Sequence, residues 1–249
     1  MAKSGGSRGR PAKRGGPIRA KAPVKGSAAG AAKPKKPKTP PRPAEAASAV
    51  PPPARFTLGA IPGATPGKWI DTWKERMPHT ALELVAVSIA DQRRALLDAE
   101  VDAALVRLPL DSAGLHVIGL YEEQPVVVMA KDSHLTAGDE LDPADLSGEV
   151  VIVPQDAVYD LDLPGTVAPR FAPPADTAAA IATVAAGVGV VIVPMSLARL
   201  HHRKDTEYRP LSGVPVSPVA LAWVADRTGP AVEAFIGIVR GRTANSSRG

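Results

Sequence analysis

The stretch at residues 176–194, DTAAAIATVAAGVGVVIVP, limits what this chain can fold into more than any other. Small helix-forming residues with apolar side chains at intervals of three and four predict a helix that ends before Gly187. Gly187 and Gly189 tolerate positive φ, which indicates a tight turn. The β-branched run at 190–193 then predicts a central strand that is buried on both faces. Helix, turn and strand in this order are typical of α/β folds.

The rest of the chain continues this alternation of strands and helices. Apolar runs bounded by turn residues predict strands at 55–61, 82–87, 102–107, 116–120, 125–129, 150–153, 190–193 and 219–224, with another near Tyr208. Helical periodicity predicts helices at 68–77, 89–99, 177–186, 195–201 and 230–239. Strands separated by helices predict an α/β body with a largely parallel sheet and right-handed crossovers.

Charge is distributed unevenly along the chain. Residues 1–55 carry a net charge of +13, with 14 Lys and Arg against one acid, whereas residues 56–249 carry a net charge of −8. The basic segment has few large apolar side chains, so we expect residues 1–55 to be disordered, as well as residues 243–249. The sequence has no cysteine and no apolar run near the roughly 18 residues of a membrane span. These observations predict a cytoplasmic protein with no membrane contact.

The basic segment contains an AT-hook-like core, Arg8-Gly9-Arg10-Pro11, which is followed by Lys13 and Arg14. Two arginines around a glycine suit the narrow minor groove of A/T-rich DNA. A Lys/Pro run resembles the tails of bacterial nucleoid-associated proteins and supplies four further phosphate contacts, Lys33, Lys35, Lys36 and Lys38. We therefore predict that DNA is bound through this segment; the alternative is a solubilising tail.

Six stretches in a fixed order carry a family resemblance. They read FTLGAIP, WIDTWKERMP, LELVAVS, LLDAEVDAALVR, EEQPVVVMAKDSHL and VAAGVGVVIVP. In this order they resemble the effector-binding domain of LysR-type transcriptional regulators. The resemblance implies a type 2 periplasmic-binding-protein-like fold, in which two α/β lobes are joined by crossing strands around a ligand cleft. Lobe I would comprise about 56–124 and 225–242, and lobe II about 125–224.

The chain departs from the family in two segments. The family carries an N-terminal winged helix-turn-helix and a dimerising linker helix, and we expect the Pro- and Lys-rich residues 1–55 to form neither. A homodimer nevertheless stays among the expected assemblies, even without the linker helix. The interval at 155–175 contains four prolines where the family has a helix and a strand, so one cleft wall is expected to differ.

The resemblance places candidate effector contacts at the ends of strands and helices. Thr65 precedes the first helix, where free N–H groups favour a carboxylate, but it could equally cap that helix. Ser88 follows the second strand, and capping explains it as well as ligand contact does. Arg107 ends the third strand and could clamp an anion through two hydrogen bonds; the alternative is a salt bridge to Asp111 or Glu122.

Lobe II would contribute Pro154, Gln155 and Thr177 to the opposite wall, and Thr177 could instead cap its helix. Catalysis has little support, because His201 and His202 are adjacent rather than spaced for a shared metal. We expect no catalytic residue, no cofactor and no metal. Prephenate dehydratases share the implied fold, but no acid/base constellation is present, so an enzyme is not expected.

These features favour a LysR-like transcriptional regulator or nucleoid-associated protein that senses a small, anionic metabolite in an interlobe cleft. Its DNA contacts would come from the basic tail. The alternative is a cytoplasmic small-molecule binding protein of the same fold with no role on DNA.

Overall fold

The computed structural model describes residues 55–241. The predicted tail disorder, the AT-hook-like core and the disordered C-terminus at 243–249 therefore lie outside the described residues. The described part contains eight strands and five α-helices. In chain order these are β1 (Arg55–Ala60), α1 (Gly67–Arg76), β2 (Ala81–Ala86), α2 (Gln92–Leu97), β3 (Ala103–Arg107), β4 (Leu115–Glu123), β5 (Pro125–Ala130), α3 (Thr177–Ala185), β6 (Val191–Pro194), α4 (Met195–Leu200), β7 (Thr206–Pro210), β8 (Ser217–Val224) and α5 (Pro230–Val239).

The first lobe is a five-stranded sheet in the order β2-β1-β3-β8-β4 with helices on both faces. On one face, Trp73 of α1 stacks on Phe56 of β1 with ring centroids 4.7 Å apart, and Phe235 of α5 packs against both rings. The indole N–H of Trp73 donates to the carbonyl of Thr80 at 2.9 Å, which satisfies its one polar group. On the other face, α2 buries Leu96 against β3 and β8.

The second lobe is a three-stranded sheet in the order β6-β5-β7, and α3 and α4 pack on it. Asp176 caps α3 by accepting from the Ala179 N–H at 2.8 Å. Gly187 follows the helix with φ 81°, and Gly189 turns into β6 with φ 68°. A Cβ on Gly189 would overlap the carbonyl oxygen of Val150. The predicted helix, glycine turn and buried strand are therefore confirmed.

The strand pairing departs from the predicted largely parallel sheet. Only β1 pairs in parallel, with β2 and β3, among the named strands of the described chain; β8 is antiparallel to β3 and β4, and β5 is antiparallel to β6 and β7. The mixed pairing arises because the chain passes between the lobes twice. It leaves the first lobe after β4 and returns through residues 211–216 to insert β8 between β3 and β4.

Three further predictions about individual strands differ from the structure. β6 lies at the edge of its sheet rather than at the centre, which β5 occupies, although all four β6 residues are buried. The segment at 219–224, which we assigned to lobe II, lies in the five-stranded sheet as part of β8. The predicted strand at 150–153 is reduced to isolated bridges, from Val150 to Val167 and from Val151 to Val190.

Candidate functional site

A cavity of about 600 Å³ lies between the two lobes. Its walls come from the turn at residues 63–65 before α1, from the end of β4 and the crossing segment at 121–124, and from α4 at 195–200. The turn and the end of β4 belong to the first lobe, whereas α4 belongs to the second. A molecule bound here would contact both lobes at once.

A buried polar cluster lies beside this cavity and joins the lobes. The Arg107 guanidinium, at the end of β3, donates through Nη1 to Glu123 Oε2 at 2.9 Å and to Ser217 Oγ at 2.6 Å. Ser196, in the first turn of α4, donates to the same Glu123 oxygen at 2.8 Å. Because Glu123 and Ser196 also line the cavity, the cluster connects its wall to the interior of the first lobe.

Gln92 fixes the backbone of Arg107. Its side-chain amide donates to the Arg107 carbonyl at 2.9 Å and accepts from the Arg107 N–H at 2.9 Å. Gln92 is buried in the first turn of α2, so the helix completes the hydrogen bonding at the end of β3. Helix and strand together determine where the guanidinium lies.

Arg107 is therefore paired, but with a different acid from those we considered. Its carboxylate partner is Glu123 rather than Glu122, and Asp111 instead contacts Arg93 at 3.1 Å. Only 2% of the Arg107 side chain is exposed, so it lies behind the cavity wall rather than on the open surface. Its role as an anion clamp stays a prediction.

Thr65 lies on the cavity wall, and its contact with a ligand stays a prediction. Thr65 does not cap the helix, because α1 begins after Pro66 and has no side-chain cap hydrogen bond. Ser88 instead forms a local turn with Asp91. Its hydroxyl donates to the Asp91 carboxylate at 2.7 Å and accepts from the Asp91 N–H at 3.0 Å. The first of these bonds lowers the pKa of Asp91.

Ser88 is exposed and is not among the residues that line the cavity. The helix predicted to start at Ile89 begins only at Gln92, because the Ser88–Asp91 turn occupies the intervening residues.

The three residues predicted for the second lobe lie away from the main cavity. Pro154 lines a separate small pocket of about 40 Å³. Gln155 is exposed, and its amide donates to the Pro173 carbonyl at 3.4 Å. Thr177 is buried and donates to the carboxylate of Asp156 at 3.0 Å, while Asp176 caps the helix. Thr65 is thus the one of the six ligand candidates that lines the cavity.

Sequence reasoning missed Glu123, Ser196, Ser217 and Gln92. Glu123 is the second acid of the EEQ segment that crosses between the lobes, and Ser196 opens the helix that follows β6. The position of Ser196 after a strand end was a usable signal. The antiparallel placement of β8, which brings Ser217 opposite Glu123, was not readable from the local pattern.

Within residues 55–241, no group of acidic, histidine or cysteine side chains is arranged to hold a metal ion. In the same part of the chain, no helix is both long and apolar enough to cross a membrane.

Two α/β lobes that are joined by two crossings and enclose a ligand-sized cavity define a two-lobed binding domain of the type 2 periplasmic-binding-protein class. The chain belongs to the LysR substrate binding domain family, whose match covers residues 51–244. The predicted family and fold class are both confirmed.

Sequence relatives are transcriptional regulators. The chain is 29% identical over 205 residues to the Hca operon transcriptional activator HcaR of Escherichia coli (strain K12), covering 77% of this chain and 69% of HcaR. It is 31% identical over 162 residues to the HTH-type transcriptional regulator BudR of Raoultella terrigena, covering 61% of this chain and 56% of BudR. The chain therefore spans between about half and two thirds of the length of these relatives.

Among solved structures, the reduced regulatory domain of OxyR from Pseudomonas aeruginosa is similar, with a TM-score of 0.59 and 25% identity. The match covers 75% of this chain and 96% of that domain. The similarity extends over the whole regulatory domain, so both lobes share the arrangement.

Proposed function

We propose that this protein is a LysR-type transcriptional regulator that senses a small, anionic metabolite between its two lobes and contacts DNA through its basic N-terminal segment. The observation that supports it best is the cavity of about 600 Å³ with walls from both lobes. Family membership and the regulators among its relatives support the role in transcription.

The position of the cavity suggests how ligand binding is coupled to a signal. A ligand shifts a conformational equilibrium only by its differential affinity for the two states. A molecule that contacts the 63–65 turn and α4 together favours the arrangement in which the lobes are close. Ligand occupancy and lobe position are therefore linked.

The charge distribution supports DNA contact through the N-terminal segment. Residues 56–249 carry a net charge of −8 and are repelled by phosphate, whereas residues 1–55 carry +13. Arg8 and Arg10 around Gly9 add the chemistry of a minor-groove contact. In this proposal the protein is cytoplasmic and associated with the nucleoid.

A metabolite panel tests the sensing function. A ligand at one hundred times its dissociation constant stabilises the folded state by about 2.7 kcal/mol and raises the melting temperature. Ala64→Trp places a large side chain in the cavity and should abolish this shift in melting temperature. Ala113→Trp, at an exposed site away from the cavity, is the control. If both variants bind as well as the wild type, the ligand does not occupy this cavity.

DNA binding is tested with the full chain at about 0.15 M salt. A/T-rich duplex should compete better than G/C-rich duplex, since the guanine amino group obstructs the minor-groove floor. Changing Arg8 and Arg10 together to Ala should remove the A/T preference but keep most non-specific affinity, which Lys33, Lys35 and the other bases carry. Absence of any DNA binding by the full chain would favour the ligand-binding protein with no DNA role.

A homodimer is the proposed assembly. The β2 strand is an edge of the five-stranded sheet, and Leu84 on it is 49% exposed. Exposed edge strands are templates for pairing with another chain. Light scattering on the wild type and on Leu84→Lys would show a dimer that the substitution weakens; a monomer at all concentrations would contradict the proposal.

A further inference from the structure

Glu123 and Ser217 mark the two places where the chain crosses between the lobes. Glu123 ends β4 just before the first crossing, and Ser217 begins β8 just after the second. The two residues lie opposite each other in the pairing of β4 with β8. Arg107 Nη1 donates to both side chains, at 2.9 and 2.6 Å. The buried polar cluster therefore ties the two crossings together.

The Arg107 guanidinium has donors that this cluster does not use. Its Nε and Nη2 are buried and have no hydrogen-bond partner among the described residues, whereas buried donors are nearly always satisfied. Arg209 shows how the same chain treats an arginine with a structural role. Its Nε donates to Gly138, its Nη1 to Tyr208 and its Nη2 to Thr136, each through a backbone carbonyl. Arg107 therefore keeps one edge free where Arg209 uses every nitrogen.

The hydroxyl of Tyr159, in the second lobe, is another buried polar group without a partner among the described residues. The ring packs on the apolar cluster that includes Leu211, which lies at the start of the second crossing. Burial raises the pKa of Tyr159, while Arg107 and Ser217 each lower it, so both lie close to the hydroxyl. Unpaired groups from the two lobes thus face each other at the crossings.

A tyrosine hydroxyl accepts as well as donates, whereas a guanidinium only donates. The Tyr159 oxygen can therefore take a hydrogen bond from the free edge of Arg107. This pairing needs a shift of the segment at 155–163, which contains no helix or strand. A narrow pocket of about 40 Å³ beside the Tyr159 ring provides room for the shift. Because unpaired buried donors are costly, the shift is favoured.

We propose that Tyr159 is a latch between the lobes: in a second arrangement of the junction, its hydroxyl accepts from the Nε–Nη2 edge of Arg107 and donates to Ser217. The latch draws the irregular segment of the second lobe onto the two crossings and holds the lobes close without a ligand. A metabolite then binds only the molecules whose latch is open, so the latch lowers the apparent affinity of the sensor. This regulatory role rests on the proposed sensing function, whereas the latch itself does not.

Spin labels on the full chain test the latch without any ligand. The sequence has no cysteine, so Ser112→Cys in the first lobe and Ala182→Cys in the second attach labels at these exposed positions alone. Double electron–electron resonance measures the distance between the labels, with excess unlabelled chain present so that pairs within one molecule dominate. In Tyr159→Phe, the population with longer distances should rise about threefold to fivefold relative to the shorter ones, because one hydrogen bond is lost.

Two further variants identify the partner of the hydroxyl. Arg107→Lys keeps a cation beside Glu123 but lacks the Nε–Nη2 edge, so Tyr159→Phe should have no further effect in that background. Tyr208→Phe is the matched control, because it removes another second-lobe hydroxyl, whose bond from Arg199 is 3.5 Å long. It should leave the label distances unchanged.

Hydrogen exchange gives an independent measurement, which decides the question if Arg107→Lys does not fold. The amides of the two crossings, at 121–124 and 211–217, should exchange about threefold to fivefold faster in Tyr159→Phe than in the wild type. In Tyr208→Phe they should exchange at the wild-type rate.

The outcomes separate the latch from the sensing function. Label distances and exchange rates that are unchanged in Tyr159→Phe overturn the latch. An effect of Tyr159→Phe that persists in full in the Arg107→Lys background overturns the pairing with Arg107. Neither result bears on the sensing function, which the metabolite panel tests. A panel in which no metabolite binds overturns the regulatory role but not the latch.

Discussion

Ser196 of the second lobe donates a 2.8 Å hydrogen bond to Glu123 of the first lobe. Close to this bond, a Cβ placed on Gly63 would overlap the Ser196 hydroxyl, so the turn before α1 and the start of α4 are in close contact. Since Glu123 is also bound by Arg107, the Ser196 bond links lobe closure to the buried ion pair.

Removing this bond should loosen the closed arrangement. We expect Ser196→Ala to lower the free energy of unfolding by about 1–2 kcal/mol, because a hydrogen bond to a charged acceptor is lost while Arg107 still pairs with Glu123. Small-angle scattering should show a larger radius of gyration. Ser112→Ala, at an exposed serine, is the control. Unchanged stability and scattering would show that the bond does not hold the lobes together.

The buried ion pair should respond asymmetrically to substitution. Arg107→Ala leaves Glu123 buried without its cation, which should cost about 3–5 kcal/mol. The double variant Arg107→Met with Glu123→Gln removes both charges and should recover at least half of that loss. Urea denaturation measures both. A double variant that is as unstable as Arg107→Ala would contradict this account of the pair. The structure thus makes Arg107→Ala unsuitable as a pure ligand-binding test.

Gln92 should contribute to stability through the Arg107 backbone. Gln92→Leu keeps the side-chain volume but leaves the buried Arg107 N–H and carbonyl unpaired, which should cost about 2–4 kcal/mol. Gln155→Leu, at an exposed glutamine with a 3.4 Å bond, is the control and should change stability by less than about 0.5 kcal/mol. Equal effects at the two positions would contradict the backbone role.

The two glycines of the second lobe should differ in their tolerance of a methyl group. Gly187 has φ 81°, and an added Cβ there would meet no neighbouring atom, so Gly187→Ala should cost only the left-handed strain of about 1–2 kcal/mol. At Gly189 the Cβ also overlaps the Val150 carbonyl, so Gly189→Ala should cost distinctly more. Thermal denaturation of the two variants, compared directly, checks the order; equal losses would show that Val150 can move away.

Local patterns in the sequence predicted much of the fold. The helix, turn and strand around Gly187 follow from helix formers, two glycines and a β-branched run, and each is determined within a few residues. The type 2 periplasmic-binding-protein-like architecture was implied by the resemblance of the chain to LysR-type regulators, and not by these local patterns. The prediction of strand pairing was wrong. β8 lies between β3 and β4, and the residues that pair there are more than 90 positions apart in the chain.

The site was predictable only in part for the same reason. Thr65 lies next to its helix in sequence and lines the cavity, although its contact with a ligand stays a prediction. Glu123 and Ser217 meet Arg107 only when three strands are placed side by side. Thr177 was considered as a cap or a ligand contact, but it bonds to Asp156, whose approach depends on the irregular segment between them. Long-range pairing and irregular loops are where local patterns carry the least information.

The raised pKa of Tyr159 predicts a specific change of stability with alkaline pH. Burial is the main cause of the shift from the ordinary value of 10.0, so the folded state holds the phenolic proton more tightly than the unfolded state does. The stabilisation is fully present below about pH 10. It is lost progressively as the pH rises from there through the folded-state pKa, because the unfolded state releases the phenolic proton at a lower pH than the folded state does.

Tyr159→Phe removes this titration. Its free energy of unfolding should therefore fall less steeply than that of the wild type between about pH 10 and 11.5, while at pH 8 the two proteins should differ by less than about 1 kcal/mol. Tyr121, whose pKa burial also raises, still titrates in the variant, so some slope remains. Urea denaturation at half-unit pH intervals measures the difference. Parallel curves for the two proteins would show that the Tyr159 hydroxyl is not held in the buried cluster with Arg107.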